Sequence, residues 1–203
     1  MTYALSGSSV DGPLYTGVVD LAHRSPAWLD DLIAGWSAYG LAVFALLMVV
    51  GWWRARRDGA NAALTAFAVP VAVVVAFGVN SAVKPLVAED RPCRRLVLRT
   101  LEACPARGDW SFPSNHTAVA FAAAVALFSV SRRLGAVASV CALAMAASRV
   151  WVGVHYPHDV VAGAALGGLV AHLTMLALRR RPKGLADRLS GTWLRPLLVS
   201  GPA

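Results

Sequence analysis

Five apolar blocks constrain this chain more than any other feature: residues 32–53, 60–83, 112–130, 134–154 and 160–178. Each approaches the roughly 20 residues that a helix needs to cross a hydrocarbon layer about 30 Å thick. In a chain of 203 residues they leave room for little beyond short connections. Hydrophobic residues make up 57% of the chain and charged residues 15%, and the mean hydropathy is +0.57. These values lie outside the usual range of soluble domains. The expected fold is all-α: a polytopic membrane bundle of five or six transmembrane helices with a short extracytoplasmic helical loop. The expected organisation is an extracytoplasmic segment over residues 1–31, a transmembrane domain over 32–180 and a cytoplasmic tail over 181–203.

A formal charge of +8 raises the question of nucleic acid, and its distribution answers it. Arg54, Arg56 and Arg57 follow the first block; Arg132 and Arg133 follow the third; Arg179, Arg180, Arg181 and Lys183 follow the fifth. Alternating crossings put these clusters on one face. With Arg188, Arg195, Asp58 and Asp187 that face carries eleven positive and two negative groups, against eight positive and nine negative on the other. The positive-inside rule makes the basic face cytoplasmic, so topology and anionic lipid account for the charge. Nucleic acid is not an expected partner.

An odd number of crossings puts the N-terminus outside. Residues 14–21, followed by His23, Arg24, Ser25 and Pro26, are expected to form a short helix on the outer surface; a sixth crossing there would reverse the terminus and leave the rest unchanged. Cys93 and Cys104 share the outer loop between the second and third blocks, where a disulfide is permitted. Cys141 lies within a span as a packing residue. Gly163 and Gly167 form a small-residue stripe of the kind that lets helices approach closely in lipid; a homodimer stays open. Trp52 and Trp53 read as anchors at the inner interface, Trp110 and Trp151 as anchors at the outer one. Pro113 and Pro157 stand where helices begin, with their N-terminal ends facing outward, an arrangement that favours anions.

The chemistry gathers at that outer side. Charges near hydrocarbon are costly and normally face a cavity or a partner. Lys84, Arg91 and Arg149 together suit a phosphoryl group: arginine offers paired donors and lysine a compact charge. His155 and Asp159 are four residues apart, so the carboxylate can fix one imidazole nitrogen and leave the other free to attack phosphorus. His116, in the first turn of the third span, suits the general acid that protonates the departing oxygen. Ser114 and Asn115 are candidate hydrogen-bond donors to phosphate. His158, beside Asp159, reads as a surface residue, His172 as a packing residue deep in the last span, and His23 has no identifiable partner. The charges of the loop 87–110, Glu89, Asp90, Glu102 and Asp109 among them, read as hydrated or as a cover over the site. No cysteine or histidine spacing indicates a metal.

These residues resemble the three-part signature of the type 2 phosphatidic acid phosphatase superfamily. Here it reads Lys84, six residues, Arg91-Pro92; then Pro113-Ser114-Asn115-His116; then Ser148-Arg149, five residues, His155, three residues, Asp159. The resemblance covers roughly residues 60–178. It implies that Lys84, Arg91 and Arg149 hold phosphate, with Ser114 as a donor, His155 as nucleophile, Asp159 as its orienting carboxylate and His116 as general acid. It also implies chemistry without metal or cofactor. Asn115 stands where the family pattern usually has glycine. The short chain and outward-facing site are similar to bacterial undecaprenyl-diphosphate phosphatases of the family, which implies a membrane enzyme releasing phosphate from a carrier lipid used in cell-wall synthesis. Phosphatidic acid, phosphatidylglycerol phosphate or another polyprenyl phosphate is the alternative substrate, and a non-hydrolytic lipid-phosphate transporter or binding protein the alternative class.

Overall fold

The computed structural model describes residues 8–96, 98–180 and 184–199; Arg181 and Lys183 of the basic clusters lie outside them. Among the described residues ten helices follow one another: α1 (Ser8–Arg24), α2 (Ala27–Tyr39), α3 (Leu41–Ala55), α4 (Ala60–Val87), α5 (Pro92–Arg95), α6 (Asn115–Leu127), α7 (Arg132–Trp151), α8 (Pro157–Arg179), α9 (Leu185–Ser190) and α10 (Arg195–Leu198). There is no strand among the described residues.

Helix α6 is the centre of the bundle and packs against α4, α7 and α8. Its sequence is mostly alanine, and Ala118, Ala120, Ala122, Ala123, Ala124 and Ala126 are all buried. A helix that is apolar all round belongs inside, and small side chains let three neighbours close on it at once. The outward faces carry large apolar groups: Val74 and Phe77 on α4, Val140 and Leu143 on α7, Val161 and Leu173 on α8 are exposed. Water would penalise such a surface; a bilayer favours it.

α4, α7 and α8 are each long and apolar enough to cross a membrane, and the α2–α3 pair, taken as one span, makes a fourth. Length and composition thus carry three or four spans. The first expected span, residues 32–53, is a pair of helices bent by 54°. The bend falls at Gly40, where an added Cβ would meet the Trp36 carbonyl at 2.5 Å and the Met145 side chain at 2.8 Å. The third is shorter than expected, because α6 starts at Asn115 with Ser114 as its N-cap and ends at Leu127. Pro113 therefore precedes the helix, whereas Pro157 does occupy the first turn of α8.

The termini pack onto the bundle. α1 docks against α7 and α8, burying Tyr15, Val19 and Ala22. α9 and α10 lie against α4, where Leu197 accepts a hydrogen bond from Trp52 Nε1 at 2.9 Å. Arg56 stacks over the rings of Trp52 and Trp53 at 5.0 and 5.2 Å. At the same end Arg179 donates to Ser129 at 3.2 Å, so the tails of α3, α6 and α8 meet there. Cys93 and Cys104 form a disulfide, and Cys141 is free.

Candidate active site

The end of α4, the start of α6, the end of α7 and the start of α8 meet at the opposite end of the bundle. Lys84, Arg91, Ser114, Arg149, His155 and Asp159 are all buried there, and Asn115 and His116 are half-buried.

Asp159 sits in the first turn of α8. Its Oδ2 accepts from the Tyr156 backbone N–H at 2.8 Å, from the Ser111 hydroxyl, and lies 3.3 Å from His155 Nδ1. Three contacts on one oxygen fix both the carboxylate and the ring it faces. With Nδ1 turned to the carboxylate, the proton belongs there and the lone pair belongs to Nε2. That nitrogen lies 3.1 Å from Arg91 Nη1. His155 is in the short connection between α7 and α8, where burial pushes its imidazole below the ordinary value, against the opposing pull of Asp159. Burial thus favours the neutral form of the ring.

Arg91 is the hub of the cations. It donates through Nε to the Asp109 carbonyl at 2.9 Å and through Nη1 to the Val154 carbonyl at 3.0 Å, and its Nη2 pairs with the Asp109 carboxylate at 3.0 Å. Lys84 donates to the Trp110 carbonyl and lies 3.6 Å from the same carboxylate. Burial opposes ionisation of Asp109, but Arg91 and Lys84 outweigh it and hold the carboxyl below its usual range. Arg149 donates to the Ser37 hydroxyl and to Glu102 Oε2, the latter at 3.0 Å. His116 stands in the first turn of α6 and is half-buried.

Close backbone contact sets the α6 residues against α8. Ser114 N–H donates to the Asp159 carbonyl at 3.0 Å, and a Cβ on Gly163 would stand 2.5 Å from the Ser114 carbonyl oxygen. Ser114 Oγ accepts from Thr117 at 3.2 Å. The Asn115 side chain turns to α4, its Oδ1 accepting from Asn80 at 2.6 Å. The amide oxygen thus braces α4.

Several participants had no mark in the sequence pattern. Ser111 is buried and is a third contact for Asp159; it lies two residues before the Pro113 motif, and nothing in its spacing singles it out. Ser37, Glu102 and Asp109 become site residues through contacts 18 to 112 positions along the chain. His158, expected at the surface, is bound at Nδ1 by Asp11 at 2.9 Å and at Nε2 by Glu89 at 3.1 Å, and its ring stacks on Tyr156 and Phe112. Glu89, expected to be hydrated, is buried. Glu89, His158 and Asp159 bring one ligand atom each within 4.8 Å of one another, a donor set that a cation would fit and that His158 here satisfies as a hydrogen-bond bridge. His23 finds the Arg99 carbonyl at 2.8 Å, and His172 is exposed on the outside of α8 rather than packed within.

The site thus gathers three cations beside a carboxylate-oriented imidazole, a set of groups suited to phosphoryl transfer. Residues 61–183 match the PAP2 superfamily, and the chain belongs to it. It is 27% identical to the undecaprenyl-diphosphatase BcrC of Bacillus subtilis over 79% of this chain and 80% of that protein. It is 30% identical to an undecaprenyl-diphosphatase of Sulfolobus acidocaldarius over 73% and 70%. Its fold is similar to that of Aquifex aeolicus LpxE, with a TM-score of 0.63 at 22% identity over 82% of this chain and 95% of the other.

Proposed function

We propose that the protein hydrolyses undecaprenyl diphosphate to undecaprenyl phosphate and inorganic phosphate through a phosphohistidine. The coarser statement, a lipid phosphatase of the PAP2 superfamily acting on a polyprenyl or glycerolipid phosphate, follows from its membership. The observation that carries the finer one is the line Asp159–His155–Arg91: a carboxylate on Nδ1 at 3.3 Å, and a guanidinium 3.1 Å from the nitrogen left to attack. The two undecaprenyl-diphosphatases that align over most of their length supply the lipid.

In this reading Lys84, Arg91 and Arg149 take the terminal phosphoryl oxygens and spread their charge. His155 Nε2 bonds to phosphorus as the bridging P–O bond breaks, and His116 gives its proton to the departing lipid phosphate oxygen. His116 then takes a proton from water, whose oxygen attacks the phosphohistidine; phosphate leaves and His155 returns to its neutral form. Ser111 and the Tyr156 N–H keep Asp159 in place throughout. The excess of basic residues in the other connections supports an extracytoplasmic site, a reading in which residues 1–31 lie on that face, 32–180 form the catalytic membrane domain and 181–203 lie in the cytoplasm.

The test is phosphate release by the purified protein in detergent with a chelator present, comparing undecaprenyl diphosphate with phosphatidylglycerol phosphate and phosphatidic acid. The expected result is preference for the diphosphate, and a loss of roughly 10³-fold or more in His155→Ala, as removal of a nucleophile gives. Preference for a glycerolipid would replace the substrate and keep the mechanism. Undiminished cleavage by His155→Ala would remove the mechanism, and binding without turnover in the wild type would make the protein a carrier.

A further inference from the structure

Each of the three cradle cations is already paired, and every partner carboxylate comes from one segment, residues 98–110. Asp109 Oδ1 lies 3.0 Å from Arg91 and 3.6 Å from Lys84; Glu102 Oε2 lies 3.0 Å from Arg149. Both acids therefore occupy donors that would hold phosphate oxygens.

The pairs are lopsided in a way that matters. The cation side chains are 9%, 5% and 3% exposed, while those of Asp109 and Glu102 are 48% and 39% exposed. The acids have a route to water that the cations lack. Three buried cations without counter-charge would be costly, so an anion belongs in the cradle at all times. The acids do not use it fully: Arg149 Nε is buried with no hydrogen-bond partner among the described residues. A ligand with more oxygens than a carboxylate would satisfy it.

We propose that Glu102 and Asp109 are specificity-determining residues, resident counter-anions that fill the cation cradle in the free enzyme and that a phosphorylated head group must displace. The inference rests on the reading of Lys84, Arg91 and Arg149 as the phosphate cradle, and it deepens that reading by supplying a basis for substrate choice. Displacement is a competition between anions for the same donors. A carboxylate is a weak competitor against a diphosphate, which brings more charge and more oxygens, and a stronger one against a monoester. The segment therefore discriminates by charge without touching the reacting atoms, and binding specificity is a difference built partly from such repulsion.

The experiment measures binding of inorganic orthophosphate and inorganic pyrophosphate by calorimetry to the full chain in detergent. The proteins are wild type, Glu102→Gln, Asp109→Asn, the double variant and Arg91→Ala. The double variant should bind orthophosphate about tenfold more tightly, roughly threefold for each half-exposed acid removed. Pyrophosphate should gain less, so the ratio between the two ligands narrows. Should the double variant fail to fold, each single variant carries the same prediction at about threefold. Weaker or unchanged orthophosphate binding in folded variants overturns the proposal and leaves the acids as braces for the cations. Orthophosphate binding undiminished in Arg91→Ala shows instead that the cradle itself was misassigned.

Discussion

On one flank of the site, where α6 crosses α8, backbone lies against backbone. On the other, where residues 98–110 meet α4 and α7, charge lies against charge. The first flank carries Ser114 and His116 past Gly163 and Gly167, and a Cβ on Gly167 would come within 2.2 Å of the Ala118 carbonyl oxygen. The second holds Lys84, Arg91 and Arg149 through Asp109 and Glu102, tied down by the Cys93–Cys104 disulfide. Steric contact has no exchangeable partner, so it fixes the spacing of His116 and His155. Ion pairs do, so they suit a surface that must accept an anion and release it. A phosphoryl-transfer site needs both properties, and this fold assigns them to different flanks.

The largest effect should come from the steric flank. Gly167→Ala pushes α6 off α8; overpacking costs about 1–3 kcal/mol, and a shift of about 1 Å between catalytic groups can lower turnover by about 10²-fold. Gly168→Ala is the matched control, because its Cβ would meet only Val125 Cγ2 at 3.5 Å. Phosphate release should fall about a hundredfold in the first and stay within about twofold in the second. Equal losses in both would mean that the seam does not set catalytic spacing.

Ser111→Ala tests the point where the flanks join, since this hydroxyl holds Asp159 from the loop side. Losing a hydrogen bond to a charged group is worth about 1.5–3 kcal/mol, which predicts a fall in kcat of about tenfold or more. KM should change little, because the cations are untouched. A change confined to KM would assign Ser111 to substrate binding instead.

The cations and imidazoles were legible in the sequence because a charge beside hydrocarbon is rare and has few reasons to be there. Lys84, Arg91, Arg149, His155 and Asp159 do converge, at the helix ends that the apolar blocks marked. Their partners were not legible. Ser37, Ser111 and Glu102 are ordinary loop or helix residues whose role arises only from folding, Ser37 and Arg149 being 112 positions apart. His158 misled because adjacency to Asp159 suggested a different direction, whereas α1 supplies Asp11 across 147 positions. The break at Gly40 was hidden for a simpler reason: hydropathy is the same on both sides of a bend.

α1 adds a further support, the neutral hydrogen bond of Tyr15, and removing it should give the smallest effect. Tyr15 is buried and donates to the Gly153 carbonyl at 2.9 Å, and its ring lies 5.4 Å from that of Tyr156. Gly153 has a φ of +84° and belongs to the turn that delivers His155, so α1 holds that turn from outside. Tyr15→Phe keeps the ring and removes the donor, at a cost of about 1 kcal/mol. The melting midpoint should drop by about 2–4 °C, with turnover reduced no more than about threefold. The turn is already fixed from inside by the Arg91 bond to the Val154 carbonyl, which is why the catalytic loss should trail the stability loss. A tenfold fall in turnover with an unchanged midpoint would reverse that order and make α1 part of the positioning apparatus of His155 rather than a clamp on the fold.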